Sequence, residues 1–141
     1  MSNFYNPQNA KCKPINNGYK KIKDPGHLYE LLSELWCEQS CAPRLRHLWS
    51  PENKTVGQCS ITAFLTQDIF GGEVYGVLLE DGAFHCFNVI DDVEFDLTSE
   101  QFDKPLTYTR QYKQDRNTHF SKEEKKKRYE YLKNALLDRI K

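Results

Sequence analysis

Apolar and polar positions along this chain follow two periods in turn. Leu28, Leu31, Leu32, Leu35 and Trp36 recur at helical spacing within HLYELLSELWCE, with Glu30 and Glu34 left for the solvent face. Asp24 and Pro25 supply the start signal, an acceptor for the first free amides followed by a residue preset for the first turn. A second helical stripe, Ile61, Phe64, Leu65 and Ile69, begins at Ser60 and is stopped by Gly71 and Gly72. The period then falls to two. EVYGVLL, AFHCFNVI and VEFDLT are rich in β-branched and aromatic residues, and Asp81-Gly82 and Asp91-Asp92 stand between them as turns, which predicts a three-stranded antiparallel meander. Tyr129, Leu132, Leu136 and Ile140 restore the helical period in a last helix, with Ser121 and Glu124 spaced as a capping box.

Between these elements, residues 40–56 carry two prolines and no period and read as a loop leading to Cys59. Residues 1–23 are polar and aperiodic, an N-terminal arm or strap across the domain, which leaves 24–141 as one domain. The expected fold class is α+β, with a cysteine-headed helix packed on an antiparallel β-sheet.

Composition narrows the function classes. The 141 residues suffice for one core without staples, and 20 basic against 20 acidic side chains give no overall field toward nucleic acid or an anionic membrane. No apolar run approaches the roughly 20 residues that span a bilayer, and the start MSNFYNPQNAKCKP lacks an apolar centre, so the expected location is cytoplasmic. Five cysteines without regular spacing fit reduced thiols better than a disulfide framework.

Cys59 therefore stands in the first turn of an apolar helix, where unpaired amides and the macrodipole favour a thiolate. Taken alone, it reads first as a small residue packed at a crowded helix start. The downstream strands alter that balance. If Asp91 and Asp92 form a two-residue turn, Ile90 faces Val93 and Phe87 faces Asp96, so His85 becomes a diagonal neighbour of Asp96 on one sheet face. Cys86, Asn88, Ile90, Val93, Phe95 and Leu97 collect on the other face, and a slip of one residue would turn Asp96 away. Cys59, His85 and Asp96 then have separate tasks as nucleophile, proton-transfer group and orienting carboxylate. The Cys59 amide and the side chains of Asn53 or Gln58 are candidate oxyanion donors.

The order GQC at a helix start, histidine at the head of a strand and aspartate on the next strand resembles the papain-like and transglutaminase-like superfamily of cysteine enzymes. More closely, GQCSITAFLTQDIFGGEV, HCFN, DLTSEQF and RYEYL resemble small, functionally uncharacterised bacterial proteins of the YunG type. The superfamily resemblance implies a papain-like or transglutaminase-like fold, Cys59 as nucleophile, His85 as base and Asp96 as its orienter. It also implies that Asn53 occupies the place of the oxyanion-hole glutamine. Ser60 stands where that superfamily usually has tryptophan.

Two other classes compete. Cys37, Cys41, His47 and Cys59 are zinc-ligand types, but no second matched pair supports a cage. Trp49, Tyr75, Phe84, Phe87 and Tyr108 could line the cleft of a non-catalytic binding protein, with Arg44, Arg46 and His47 facing an acidic ligand. The expectation is thiol-mediated hydrolysis or transfer at an amide or related acyl bond of a peptide or small amide, with Trp49 in substrate binding. This chemistry calls for no cofactor and no metal, and neither nucleic acid nor membrane is an expected partner.

Overall fold

The computed structural model describes residues 4–141; the first three residues of the expected N-terminal arm lie outside the described residues. The first helix, α1, spans Pro25–Ser33, with the Asp24 carboxylate accepting from the His27 amide at 2.9 Å and Pro25 in the opening turn. It ends before the residues that continue its apolar stripe, because the last turn tightens: the Glu34 amide bonds back to Leu31, and those of Leu35 and Trp36 to Leu32. Trp36 nevertheless reaches the core, and its indole donates to Thr62 Oγ1 at 3.0 Å. The expected loop contains a short 3-10 helix, Pro43–Leu48.

Helix α2, Cys59–Phe70, is the centre of the molecule. Ser60 to Thr66 are all buried, as are Ile69 and Phe70, so the helix is covered nearly all round. Strands β1, Glu73–Leu78, β2, Phe84–Ile90, and β3, Val93–Phe95, form the expected antiparallel meander. A fourth strand, β4, Tyr112–Lys113, pairs antiparallel with β1 and gives the order β3-β2-β1-β4. Two residues are too few to show an alternating pattern, so this edge was invisible in the sequence.

α2 packs on β2, and α4, Glu123–Arg139, packs on α2 from another side, with α3, Arg116–Phe120, beside it. Tyr129, Leu132 and Leu136 of α4 are buried as their spacing predicts. The capping box is not formed. Ser121 instead closes α3, its hydroxyl donating to the Thr118 carbonyl at 2.7 Å, and Lys122 occupies the cap of α4 with no side-chain bond. The arm lies across the domain as a strap: Phe4, Ala10, Tyr19 and Ile22 are buried, and the Ile15 amide donates to Ile69 O at 2.8 Å. Each buried large apolar side chain of this kind contributes about 1.5–3 kcal/mol. The fold is α+β, with helices on a four-stranded antiparallel sheet.

The approach to α2 depends on Gly57. Its φ is +73°, and an added Cβ would lie 2.5 Å from Cys41 Sγ and 2.8 Å from the Ala42 backbone nitrogen. Gly57→Ala is expected to lower the unfolding free energy by about 2 kcal/mol or more, combining backbone strain with a steric clash. Gly82→Ala, at φ +87° with open space around the new Cβ, should lose only the strain part, about 1 kcal/mol. Urea midpoints at unchanged m separate the two.

Candidate active site

The β2–β3 connection sets the site. Asp91 and Asp92 have φ of 53° and 64°, the left-handed pair that a two-residue type I′ turn requires. Ile90 accordingly pairs with Val93, Val89 with Glu94 and Asn88 with Phe95. Continuing this register carries Asp96 to the face of His85, and His85 Nε2 lies 2.6 Å from Asp96 Oδ2, with both side chains about 1% exposed. Four donors surround that carboxylate. Oδ1 accepts from the Thr98 amide at 3.1 Å and the Thr98 hydroxyl at 3.2 Å, while Oδ2 accepts from His85 and from the Tyr108 hydroxyl at 2.6 Å. Burial and the neighbouring Asp96 charge raise Tyr108 above the ordinary phenol range, so it remains a donor. The Phe102 ring meets His85 edge-on at 4.7 Å between centroids.

The Cys59 thiol meets this pair from the helix end. Its pKa is held well below the ordinary thiol value, chiefly by a hydrogen bond from the Cys86 thiol working against burial, then by the charge and hydrogen bond of His85 and by the Cys86 backbone amide. Cys86 is correspondingly raised, first by its bond to Cys59 and then by burial, which leaves it a protonated donor. Burial works against a charged His85, but Asp96 and Cys59 outweigh it and push the imidazole up to about 10. Since Nε2 is committed to Asp96, Nδ1 is the ring nitrogen left for the thiol. The helix start adds to the effect: Gln58 makes no side-chain cap, and among the described residues the amides of Cys59, Ser60 and Ile61 have no acceptor. Cys59 itself is partly exposed.

Not every expected residue joins this group. Gln58 is fully buried, and its side-chain amide donates to the Cys37 carbonyl at 3.1 Å, which braces the preceding loop. Asn53 sits in a turn closed by its own amide on Ser50 O at 2.9 Å, and among the described residues its side chain has no partner. The Trp49 indole spans that same loop and donates to Lys54 O at 2.9 Å. Of the other aromatics, Tyr108 and Phe87 pack edge-on beside Asp96, whereas Phe84 lies against Tyr112. Arg46 is spent on the carbonyls of Glu38 and Cys41. Among the described residues no three of His, Cys, Asp and Glu converge as a metal site, so Cys37, Cys41, His47 and Cys59 make no cage.

Three participants carried no sequence signal toward Cys59. Thr98 meets Asp96 in a local turn two residues on, Tyr108 reaches it through tertiary packing, and Cys86 acts on Cys59 although it alternates with His85 along β2.

Residues 24–141 match the family model described as YunG protein, and the chain belongs to that family. A relative from Bacillus subtilis (strain 168), described as uncharacterized protein YunG, is 34% identical over 82 residues, or 58% of this chain. The chain covers 66% of that relative's length, just under two thirds. No solved structure matches the chain. No helix is long and apolar enough to cross a membrane among the described residues.

Tyr108→Phe removes a hydroxyl from a buried carboxylate and is expected to cost about 1.5–3 kcal/mol, as for hydrogen bonds to charged groups. Thr98→Val should cost a similar amount, and urea unfolding of both variants measures it.

Proposed function

We propose that this YunG-family protein performs cysteine-dependent acyl chemistry, hydrolysing or transferring an amide or related acyl bond through a thioester on Cys59. The observation that carries the reading is the buried 2.6 Å contact between His85 Nε2 and Asp96 Oδ2, which leaves Nδ1 for the Cys59 thiol that, with Asp96, raises His85. Such an arrangement resembles the papain-like and transglutaminase-like division of roles, and the cysteine-headed helix on an antiparallel sheet is consistent with that fold.

In this reading, Cys59 passes its proton to His85 Nδ1, and Asp96 holds the imidazolium in place through Nε2. The thiolate attacks the acyl carbon and the C–S bond forms. The resulting oxyanion is met by the free amides at the start of α2, with the Asn53 side chain as a further donor. The C–N bond then breaks, and the leaving amine takes the proton from His85. Water or a second amine attacks the thioester, gives its proton to His85 and releases Cys59 as the thiol. Trp49, on the loop that leads to α2, is the proposed substrate contact, and a peptide or small amide is the proposed substrate class. The five free cysteines fit a reducing, cytoplasmic setting.

Alkylation of Cys59 by iodoacetamide, followed across pH by peptide mass spectrometry, tests the pair. Cys59 should react well below the ordinary thiol range near ~8.5, and its protonated partner should persist until His85 deprotonates at about 10. His85→Ala should move the profile up toward an ordinary thiol. Asp96→Asn should lower the His85 limb and narrow the plateau. An ordinary titration of Cys59 in the unaltered protein, unmoved by His85→Ala, would leave a non-catalytic binding protein as the better reading.

A further inference from the structure

On the α4 side of Cys59 lies a second chain of polar groups that the acyl mechanism does not use. Lys125 Nζ donates to His119 Nδ1 at 2.9 Å, and His119 Nε2 donates to Gln114 Oε1 at 2.9 Å. Gln114 is itself oriented, its amide nitrogen donating to Tyr112 O at 3.1 Å. Glycine at 76 makes room for it, because an added Cβ there would lie 2.8 Å from Gln114 Nε2. With Nε2 carrying the proton toward Gln114, His119 Nδ1 is an acceptor and the imidazole is neutral. Burial and the adjacent ammonium hold His119 down to about 4, in agreement with that state.

α4 is anchored close to the cysteine. Arg128, one turn beyond Lys125 on the same face, donates to Ser40 O at 3.0 Å and to Gly57 O, just before the start of α2. The His119 ring packs on Phe64 of α2 at 5.0 Å between centroids. Lys125 is thus a half-buried cation held by a neutral partner, and no carboxylate lies within ion-pair distance of it among the described residues. Burial opposes its charge, and Cys59, held as a thiolate, is the anionic group that supports it. A partly desolvated cation without a counter-ion is unfavourable, and acylation of Cys59 would remove the thiolate charge as well.

We propose that Lys125, aimed by the His119–Gln114 relay, is the site's carboxylate-recognition group, so that the preferred acyl substrate carries a carboxylate close to the scissile amide. This inference rests on Cys59 being the nucleophile. A single ammonium is a point charge suited to one carboxylate, whereas planar bidentate recognition would call for arginine. Lys125 is a specificity residue in this scheme, and the covalent steps are those already assigned to Cys59 and His85.

Iodoacetate and iodoacetamide differ by the carboxylate alone, so the ratio of their rates at Cys59 reads anion recognition. The iodoacetamide rate by itself reads the nucleophile. Relative to N-acetylcysteinamide in solution, the unaltered protein should favour iodoacetate by about tenfold, the scale of one charge-assisted contact. Lys125→Gln should abolish most of that preference while His85 remains, and Lys125→Arg should retain it. A ratio in the unaltered protein equal to that of the free thiol overturns the proposal. So does a preference that Lys125→Gln leaves unchanged, since His85 would then be its source. A Cys59 that reacts with iodoacetamide only as an ordinary thiol would sink the nucleophile reading instead, and the two failures are distinct.

Discussion

A carboxylate and an imidazole buried together at the end of a sheet are the constraint around which this molecule is arranged. Removing Asp96 from water is costly unless every lone pair is met, and the fold meets them from separate places in the chain. Thr98 turns back from just beyond β3, Tyr108 returns from the connection to β4, and His85 comes across from β2. Even the strap contributes. Tyr5 pairs with the Asp96 backbone and stacks its ring on Tyr108 at 4.1 Å. A satisfied carboxylate is what allows the imidazole beside it to stay charged, and a charged imidazole in turn favours the Cys59 thiolate.

The second requirement is a helix start left open. α2 is buried over most of its surface, yet its first amides find no acceptor among the described residues, because Gln58 turns its side chain to Cys37 rather than capping the helix. The loop before it is secured by other means. Arg128 takes the carbonyls of Ser40 and Gly57, and the Lys54 ammonium takes that of Ser33 at 2.8 Å. The cap is therefore replaced by ties at a distance, which leaves free donors beside the sulfur. The same α4 that supplies Arg128 brings Lys125 to the neighbourhood, so anchoring and electrostatics share one helix face.

Much of the fold was legible in local pattern. Asp24-Pro25 began a helix, Gly71-Gly72 ended one, and Asp91-Asp92 implied a two-residue hairpin whose register carries His85 to Asp96. In each case the signal lies within a few residues of its consequence. The errors have a common cause as well. The apolar stripe of α1 runs past its last helical turn because burial of Trp36 needs only the right direction, not helical backbone. Ser121 has the chemistry of an N-cap and serves α3 instead, since its hydroxyl can equally reach a carbonyl behind it.

What the sequence determined by itself is the set of elements, the turn that registers β2 on β3, and the candidacy of Cys59, His85 and Asp96. Periodicity and turn chemistry are local properties, and those three residues are reached through them. Only the tertiary structure decided that Cys86 acts on Cys59, that the Gln58 amide goes to the Cys37 carbonyl, and that Lys125, His119 and Gln114 form one hydrogen-bonded chain. These contacts join residues from elements with no shared period, and they follow from how α2, α4 and the sheet close on one another. A side chain's partner across such a gap depends on packing, which no local pattern encodes.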